Sequence, residues 1–248
     1  MKRIVTIMML AFFGMNLAAQ TAWKNEVLDY GLYIGPVKAG EARLTTKKTA
    51  WKGQDAVMMQ LVARTTKAAE KIFSLNDTLT TYVRPADAAP IHFQKHCIEE
   101  DDIVFENDDF TRLDDGTWQG RLSKTYKDGH VKAKTVNSKS PIYDMISVVA
   151  YARSMDTKNL HDGQRMNFKL ADAAEVLDES LIFMGKETLK TNGKKYSCLK
   201  FRLVEPYVEK GKKKDRDILT IFVSDDAAHT IVEMDIKFKV GTAKAKLL

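Results

Sequence analysis

Apolar and polar residues alternate with a period of two along most of this 248-residue chain. Because successive side chains of a β-strand point to opposite faces, this alternation indicates strands with one buried face and one solvated face. The closing stretch shows it most clearly, and we expect it to pair with residues 217–226 through a turn at 225–228. Its predicted core face is Val232, Met234, Ile236, Phe238 and Val240, and its predicted solvent face is Glu233, Asp235, Lys237 and Lys239.

Short turn signals separate about a dozen such segments. Asp115-Gly116, Asp128-Gly129 and Asn192-Gly193 are typical of two-residue hairpin loops, since both central residues of these turns need a positive φ. Many short strands with short connections favour an all-β, mainly antiparallel fold. We therefore predict a curved β-roll, sandwich or half-barrel of about a dozen strands.

One segment departs from this period. Residues 141–155 carry apolar residues at helical spacing, with Ser140 as a candidate cap and Pro141 at the first helical position. The stripe is wide enough to be largely covered by other parts of the protein. Two interpretations remain open: a helix that packs on the sheet as core, or a plug over an apolar cavity. The cavity-lining candidates are Met145, Ile146, Val149 and Tyr151.

The N-terminus predicts export. Lys2 and Arg3 precede an apolar run at residues 4–17, and small residues then lead to Gln20. The run is shorter than the roughly 20 residues that a spanning helix needs. We expect residues 1–19 to be a signal peptide and residues 20–248 to form a single β-rich domain, or two similar halves around the helix. After cleavage we expect no transmembrane span, and a location in the periplasm or outer cell envelope.

The charge distribution bears on partners. The formal net charge is +6, with no basic stripe interleaved with aromatic residues, so we expect no nucleic-acid partner. One basic run, at residues 209–216, lies between two strand candidates. It is either a solvated hairpin or a contact for anionic groups. The contact would be made by Lys210, Lys212, Lys213 and Lys214.

Two cysteines, Cys97 and Cys198, lie in strand-like segments. An exported compartment permits a disulfide between them. The alternative is two separate buried thiols that behave as small apolar residues. The sequence leaves both open.

Direct evidence for chemistry is weak. His92 and His96 share one face of a predicted strand, but a rise of about 3.3 Å per residue separates them by about 13 Å, too far for one metal ion. The sequence contains no Gly-x-Ser-x-Gly elbow and no phosphate-binding glycine loop. We expect no metal, no cofactor and no catalytic activity.

Three stretches together resemble a known family: "LDYGLYIGPVKAGEARL", "PIYDMISVVAYARSMDTKNLHDGQRMNFKL" and "LTIFVSDDAAHTIVEMDIKFKVGTAKAKLL". The chain resembles the exported bacterial family numbered 3108 in the domain-of-unknown-function series, over nearly all of its mature length. The resemblance implies a periplasmic or outer-envelope location and brings no assigned reaction and no catalytic motif. The segment around Gln20 is similar to that of Bacteroides-type exported proteins.

Three functions are therefore considered. The first is a noncatalytic cell-envelope protein that binds an apolar or amphipathic ligand such as a lipid. The second is a structural or assembly protein that contacts another envelope protein. The third is a glycan-acting enzyme, which would need two carboxyl groups about 5–10 Å apart across a cleft.

Export gives a first prediction. Protein purified from the envelope of its own cell should begin at Gln20, because the small residues before it suit signal cleavage. N-terminal sequencing checks this, and envelope-derived protein that still carries Lys2 would contradict it.

Overall fold

A computed structural model of the chain describes residues 23–70, 74–99, 102–238 and 241–248. The predicted signal peptide, residues 1–19, and the predicted new N-terminus, Gln20, lie outside these residues. The described chain forms one helix, α1 (Ser147–Ser154), and fifteen strands. The strands are β1 (Glu26–Ile34), β2 (Val37–Trp51), β3 (Gln54–Thr65), β4 (Leu75–Val83), β5 (Pro90–Glu99), β6 (Asp102–Arg112), β7 (Trp118–Tyr126), β8 (Val131–Ser138), β9 (Ile142–Tyr143), β10 (Arg165–Asp172), β11 (Glu175–Thr191), β12 (Lys194–Glu209), β13 (Lys212–Ser224), β14 (Ile231–Phe238) and β15 (Gly241–Leu247).

All fifteen strands belong to one nearly closed, barrel-like sheet. Its order is β8-β7-β6-β5-β4-β3-β2-β1-β15-β14-β13-β12-β11-β10-β9, so each half is a meander and the pairing of β1 with β15 joins the halves. Every pairing is antiparallel except the short one between β9 and β10. The predicted all-β, mainly antiparallel class with one helix is confirmed. The strand count exceeds a dozen partly because the closing stretch forms two strands.

Side chains close the gap between the two ends of this sheet. Glu175, beside the β10–β11 turn, accepts hydrogen bonds from Lys134 at 2.8 Å and lies 2.7 Å from Lys132, both on β8. The Ala173 N–H donates to the buried carboxylate of Glu106 on β6 at 3.0 Å. Exposed ion pairs contribute little to stability, so these contacts mainly fix the position of one end of the sheet against the other.

The short strand β9 also approaches β7 closely. A Cβ atom at Gly120 would lie 3.2 Å from the Cδ1 atom of Ile142, which is tighter than ordinary van der Waals contact. Gly120 therefore leaves the space in which Ile142 packs into the barrel interior.

The helix begins later than predicted. Residues 142–143 form β9 instead of a helical turn, and α1 starts at Ser147, so neither Ser140 nor Pro141 opens it. The local reason is Asp144, whose Oδ1 atom accepts hydrogen bonds from the N–H groups of Ile146 and Ser147, each at 2.9 Å. In return, the Ser147 hydroxyl accepts the Asp144 N–H at 2.7 Å, which stabilises the turn before the helix.

The helix is held inside one end of the barrel by polar contacts at both of its ends. Before it, Asp144 accepts a hydrogen bond from the Thr81 hydroxyl on β4 at 2.7 Å. At its C-terminal end, the buried Arg153 forms an ion pair with Glu26 and donates to the carbonyl of His229 at 3.0 Å. The helix thus contacts the first strand and the β13–β14 turn together.

The closing stretch is two strands instead of one. β14 pairs with β13 through a turn near residues 225–228, as predicted, whereas β15 returns to pair with both β14 and β1. The side chains of the predicted face residues Phe238, Lys239 and Val240 lie outside the described residues.

One register shift changes the predicted faces of β14. Val223 pairs with Ile231 and Phe222 pairs with Glu233, so Val232 is the extra residue of a bulge. Ile231 therefore occupies the interior, and Val232 lies in a second apolar cluster with Cys198 and Phe222 on the outer face. Glu233 is buried, not solvated, and it accepts a hydrogen bond from Lys244 at 2.8 Å.

The second apolar cluster forms because the β11–β12 hairpin folds over the outside of the sheet. The pairing of β11 with β12 shifts register between Phe183 and Lys186, where the strand bends. Beyond this bend, the Thr191 hydroxyl donates to the Leu247 carbonyl at 2.9 Å. Leu189 and Tyr196 then pack against the buried cluster on the outer face.

This arrangement excludes the disulfide considered from the sequence. Cys97 belongs to the interior cluster, whereas Cys198 belongs to the outer cluster beneath the folded hairpin. Both thiols are buried, and they are not bonded to each other. Burial raises the pKa of Cys198 to about 11, so its thiol stays protonated at neutral pH.

The position of the helix gives a prediction with an internal control. Val149 is 6% exposed and Met145 is 42% exposed, although both were predicted to be covered. Val149→Asp would bury an unpaired charge, and we expect it to lower the free energy of unfolding by about 3 kcal/mol or more. Met145→Asp should change it by less than about 0.5 kcal/mol, as exposed substitutions do.

Urea unfolding of the two variants and the wild type measures both effects. Equal losses for the two variants would mean that the helix packs differently from the arrangement described above.

Candidate ligand-binding cleft

Three hairpin turns bring polar and aromatic side chains together at one end of the barrel. In an antiparallel meander, alternate turns lie at the same end, so the β2–β3, β4–β5 and β6–β7 turns share one rim. The tightest of them centres on Lys52 and Gly53, whose φ angles of 49° and 86° fit the type I′ hairpin turn.

These turns border an open cleft of about 360 Å³, which we call the rim cleft. It is lined by Trp51, Lys52, Gln54, Arg84, Pro90, Ile91, Asp109, Phe110, Thr111, Arg112, Trp118 and Arg121. Its volume lies within the range of roughly 300–1,000 Å³ that is typical of small-molecule sites.

Two tryptophans form the aromatic part of the rim cleft. The Trp51 ring stacks on the His92 ring with 4.3 Å between centroids and contacts Tyr82 at the same centroid distance. The Arg84 guanidinium lies 5.1 Å from the centroid of the Trp118 ring. Trp118 is only 6% exposed, so the half-buried Trp51 ring offers most of the aromatic contact area, with little loss of side-chain freedom.

Positive charge dominates the polar part. The lining includes Lys52, Arg84, Arg112 and Arg121, but a single carboxylate, that of Asp109. The Oδ1 atom of Asp109 forms a hydrogen bond with His92 Nδ1 at 2.8 Å. The Nζ atom of Lys52 lies farther from the same oxygen, at 3.9 Å. The rim cleft therefore combines a net positive charge with an aromatic surface, which suits an anionic amphipathic group.

Acid–base chemistry with paired carboxylates is not supported at either cleft. Asp109 is the one carboxylate among the residues that line the rim cleft. A second cleft, of about 470 Å³, lies on the outer face of β10–β13 and includes one carboxylate, Asp215. Neither lining contains the two facing carboxyl groups that a glycan-acting enzyme would need.

The structure places the predicted cavity residues in different environments. Ile146 and Val149 are buried in the interior cluster, and Tyr151 packs against it with its ring 5.2 Å from that of Tyr143. Met145 is exposed, because residues 142–146 precede the helix and leave its side chain outside the core. None of these four residues lines the rim cleft.

The predicted basic contact is at the tip of the β12–β13 hairpin. Lys210, Lys212, Lys213 and Lys214 are exposed there, and Lys214 forms an ion pair with Glu209. Lys213 and Lys214 line the second cleft together with Tyr207 and Val208.

Sequence reasoning missed the rim cleft. Its residues come from turns that are far apart in the chain, and no local motif joins them. The available signal was the presence of tryptophan, lysine or arginine beside alternate turns, as in Trp51-Lys52-Gly53 and at Arg84 and Trp118. The two histidines that were considered as metal ligands lie in separate aromatic contacts. His92 stacks on Trp51, and His96 stacks on Phe105.

Carboxyl groups also lie inside the barrel. Glu179 has the same orientation along β11 as Leu181 and Phe183 of the interior cluster, and it is 1% exposed. Burial raises the pKa of Glu179 to about 8 and that of Asp108 to about 7. Among the described residues, no group of three or more His, Cys, Asp or Glu side chains could hold a metal ion.

A family described as "Protein of unknown function (DUF3108)" matches residues 29–248. The chain belongs to this family. The resemblance inferred from the three sequence stretches is thereby confirmed. The match assigns no reaction and no ligand to the protein.

The fold of this DUF3108 protein is similar to that of a solved structure. It is the crystal structure of a beta-barrel-like protein of domain of unknown function DUF1849 from Brucella abortus, with a TM-score of 0.57 and 11% identity. The match covers 90% of this chain and 95% of that one. The search of curated proteins found no match. Over the described part of the DUF3108 chain, no helix is long and apolar enough to cross a membrane.

The buried carboxyl of Glu179 gives a pH prediction. Its pKa rises from 4.5 in a model peptide to about 8 in the folded protein, so between these pH values the folded state holds a proton that the unfolded state releases. The free energy of unfolding should therefore fall as pH rises through this window, by at most about 1.4 kcal/mol per pH unit for one group.

Glu179→Gln removes this proton, so its stability should fall less steeply between pH 5 and pH 8 than that of the wild type. Asp108 is present in both proteins and does not affect the comparison. Urea melts across the window measure the two slopes, and parallel curves would show that Glu179 is not protonated in the folded protein.

Proposed function

We propose that this DUF3108 protein is a noncatalytic cell-envelope protein that binds an amphipathic ligand, such as a lipid, in the rim cleft. The observation that carries the proposal is the combination of the half-buried Trp51 ring with four cationic side chains around one opening of about 360 Å³. Aromatic surface suits the apolar part of such a ligand, and the cations suit its polar end.

The barrel interior supports a ligand at the rim more than a ligand beneath the helix. Val148, Val149, Ala150 and Ala152 of α1 pack into one continuous cluster with side chains from both halves of the sheet. Of the two interpretations that the sequence left open, this cluster supports a helix that packs on the sheet as core. The envelope location rests on the predicted signal peptide, residues 1–19.

A second candidate function is an assembly role through the outer face. The β12–β13 hairpin exposes Val208, which is 68% accessible, beside the lysines of the second cleft. Val208 adjoins Pro206 and Tyr207 in the lining of the second cleft, and contiguous apolar surface that is rimmed by polar residues is typical of protein–protein contacts. A partner protein that binds this hairpin would leave the rim cleft accessible.

The test is native mass spectrometry of protein purified from its own envelope. We expect the wild type to carry lipid masses, and Thr111→Trp, which places a bulky ring in the rim cleft, to lose them. Thr188→Trp is the matched control, because Thr188 is also an exposed strand residue but lies on β11, far along the sheet from the cleft lining.

Lipid retained by Thr111→Trp would place the ligand elsewhere. Wild-type protein that carries a stoichiometric protein mass and no lipid would favour the assembly role.

A further inference from the structure

The pairing of β11 with β12 stops before either strand ends. Their ladder ends at the pair Ser180–Val204. Beyond this pair, and within the described chain, residues 175–179 of β11 pair with β10 alone, and residues 205–209 of β12 pair with β13 alone. Each of these stretches is about 16 Å long at the rise of a β-strand. We call the opening between them the strand slot.

The second cleft shows that the strand slot is open space. Ser180 lines this cleft from β11, and Pro206 and Val208 line it from β12. The β12–β13 hairpin leans toward β10, because Asp215 of β13 forms an ion pair with Arg165 of β10 although two strands lie between them in the sheet. The two strands therefore diverge at a site that shares no lining residue with the rim cleft.

The free edge of β12 directs backbone hydrogen-bonding groups into the slot. The β12–β13 turn has φ angles of 50° at Lys210 and 74° at Gly211, which fit a type I′ turn closed by a hydrogen-bonded pair. Bonding direction alternates along an antiparallel strand, so the backbone of Tyr207 faces β13 and that of Val208 faces the slot. Pro206 agrees with this assignment, since proline lacks an N–H and is confined to free strand edges.

The same geometry holds on β11. Its turn with β10 has φ angles of 51° at Ala173 and 57° at Ala174, again those of a type I′ turn. Alternation from this turn directs the N–H and C=O groups of Val176 and Asp178 toward the slot. Both edges thus offer donors and acceptors to an additional strand, which is the way in which sheets bind extended peptides.

A buried acid lies at the point where the strands diverge. Glu179 is 1% exposed, and among the described residues neither of its carboxyl oxygens has a hydrogen-bond partner. Alternation places Glu179 and Glu205 on the inner side of the sheet, where Leu181 and Leu203 join the interior cluster. Burial, and then the charge of Glu205, raise the pKa of Glu179. A strand in the slot would end beside these two carboxyl groups, where a lysine or arginine supplies the missing donor.

We propose that the strand slot binds an extended peptide segment of a partner protein as an added β-strand, with a lysine or arginine of that segment beside Glu179. Backbone hydrogen bonds to Val176, Asp178 and Val208 hold the segment. This inference rests on the assembly role considered above, because it names the kind of partner that the outer face takes. It does not depend on the ligand of the rim cleft.

The experiment starts from a phage-displayed library of random heptapeptides, selected on the wild type at pH 8, where the free Glu179 is about half ionised. We expect enrichment of peptides that carry a lysine or arginine beside β-branched residues, which favour strands. The most enriched peptide is then synthesised with a fluorescent label. Fluorescence anisotropy measures its affinity for the wild type and for the variants.

Matched variants test each edge of the slot. Val208→Pro removes an N–H group and fills its place with a ring, whereas Val208→Ala removes side-chain atoms alone. We expect the proline variant to weaken binding at least about tenfold and the alanine variant less than about threefold. Glu179→Gln should weaken binding of the basic peptide about tenfold, but not that of a peptide with glutamine in place of the basic residue. Circular dichroism melts verify that each variant is folded.

Amide hydrogen exchange, followed by NMR, tests strand addition directly. The peptide should slow exchange at Val176, Asp178 and Val208 at least about tenfold, because their N–H groups gain partners. The amide of Tyr207, which already faces β13, is the internal control and should change little.

The outcomes separate the parts of the proposal. Selection without enriched peptides, or binding that leaves the Val208 amide unprotected, overturns the added strand. Equal binding of the basic peptide to the wild type and to Glu179→Gln overturns the role of Glu179. If the wild type alone sediments as a dimer that Val208→Pro dissociates, a second copy is the occupant and the partner segment is wrong. The protein masses in the native mass spectrum test the assembly role separately.

Discussion

The antiparallel pairing of β1 with β15 is the constraint on which the rest of the structure depends. It joins an N-terminal meander and a C-terminal meander into one sheet, in the register that places Tyr30 opposite Leu247. Tyr30 then lies in the interior, and its hydroxyl donates to the carbonyl of Ile231 on the nearby strand β14 at 2.9 Å. Without this pairing, each half would expose a sheet edge and the apolar face that now forms the interior.

The helix packs against the inner face of this curved sheet. Its apolar residues supply part of the core, and its two polar ends contact strands that are far apart in sequence. The burial of Arg153 and Asp144 has a large desolvation cost, and several hydrogen-bonding partners of each residue offset it. Removing a single partner would therefore lower the stability more than replacing the whole set with apolar residues. Such contacts fix where the helix sits more than they add to stability.

The rim cleft follows from the same topology. Short turns at alternate positions of a meander return to one end of the barrel, and sheet curvature brings the ends of β2, β5, β6 and β7 around one opening. The helix packs into the interior cluster, and the open cleft lies at the end of the barrel. The His92–Asp109 contact then decides which charges this surface presents.

Local patterns in the sequence determined the secondary structure and its class. Alternation of apolar and polar residues depends on strand geometry alone, so it correctly indicated the all-β class, most strands and the pairing of residues 217–226 with the closing stretch. The turn signal at Asn192-Gly193 was also sound, since both residues have a positive φ, whereas at Asp115-Gly116 the positive φ is that of Gly116 alone. The family resemblance rested on the same patterns and is confirmed by the match over residues 29–248.

Tertiary structure decided the features that depend on distant contacts. The start of the helix moved from Pro141 to Ser147 because Asp144 forms a turn that is anchored by Thr81, a residue of another strand. The bulge at Val232 reversed part of a predicted face, because the folded β11–β12 hairpin buries that side chain outside the barrel. Strand order likewise brought Lys52, Arg112 and Arg121 to one cleft, which no sequence spacing encodes. A period of two specifies which side chains share a face of one strand, but the neighbours of that face are set only when the sheet curves and closes.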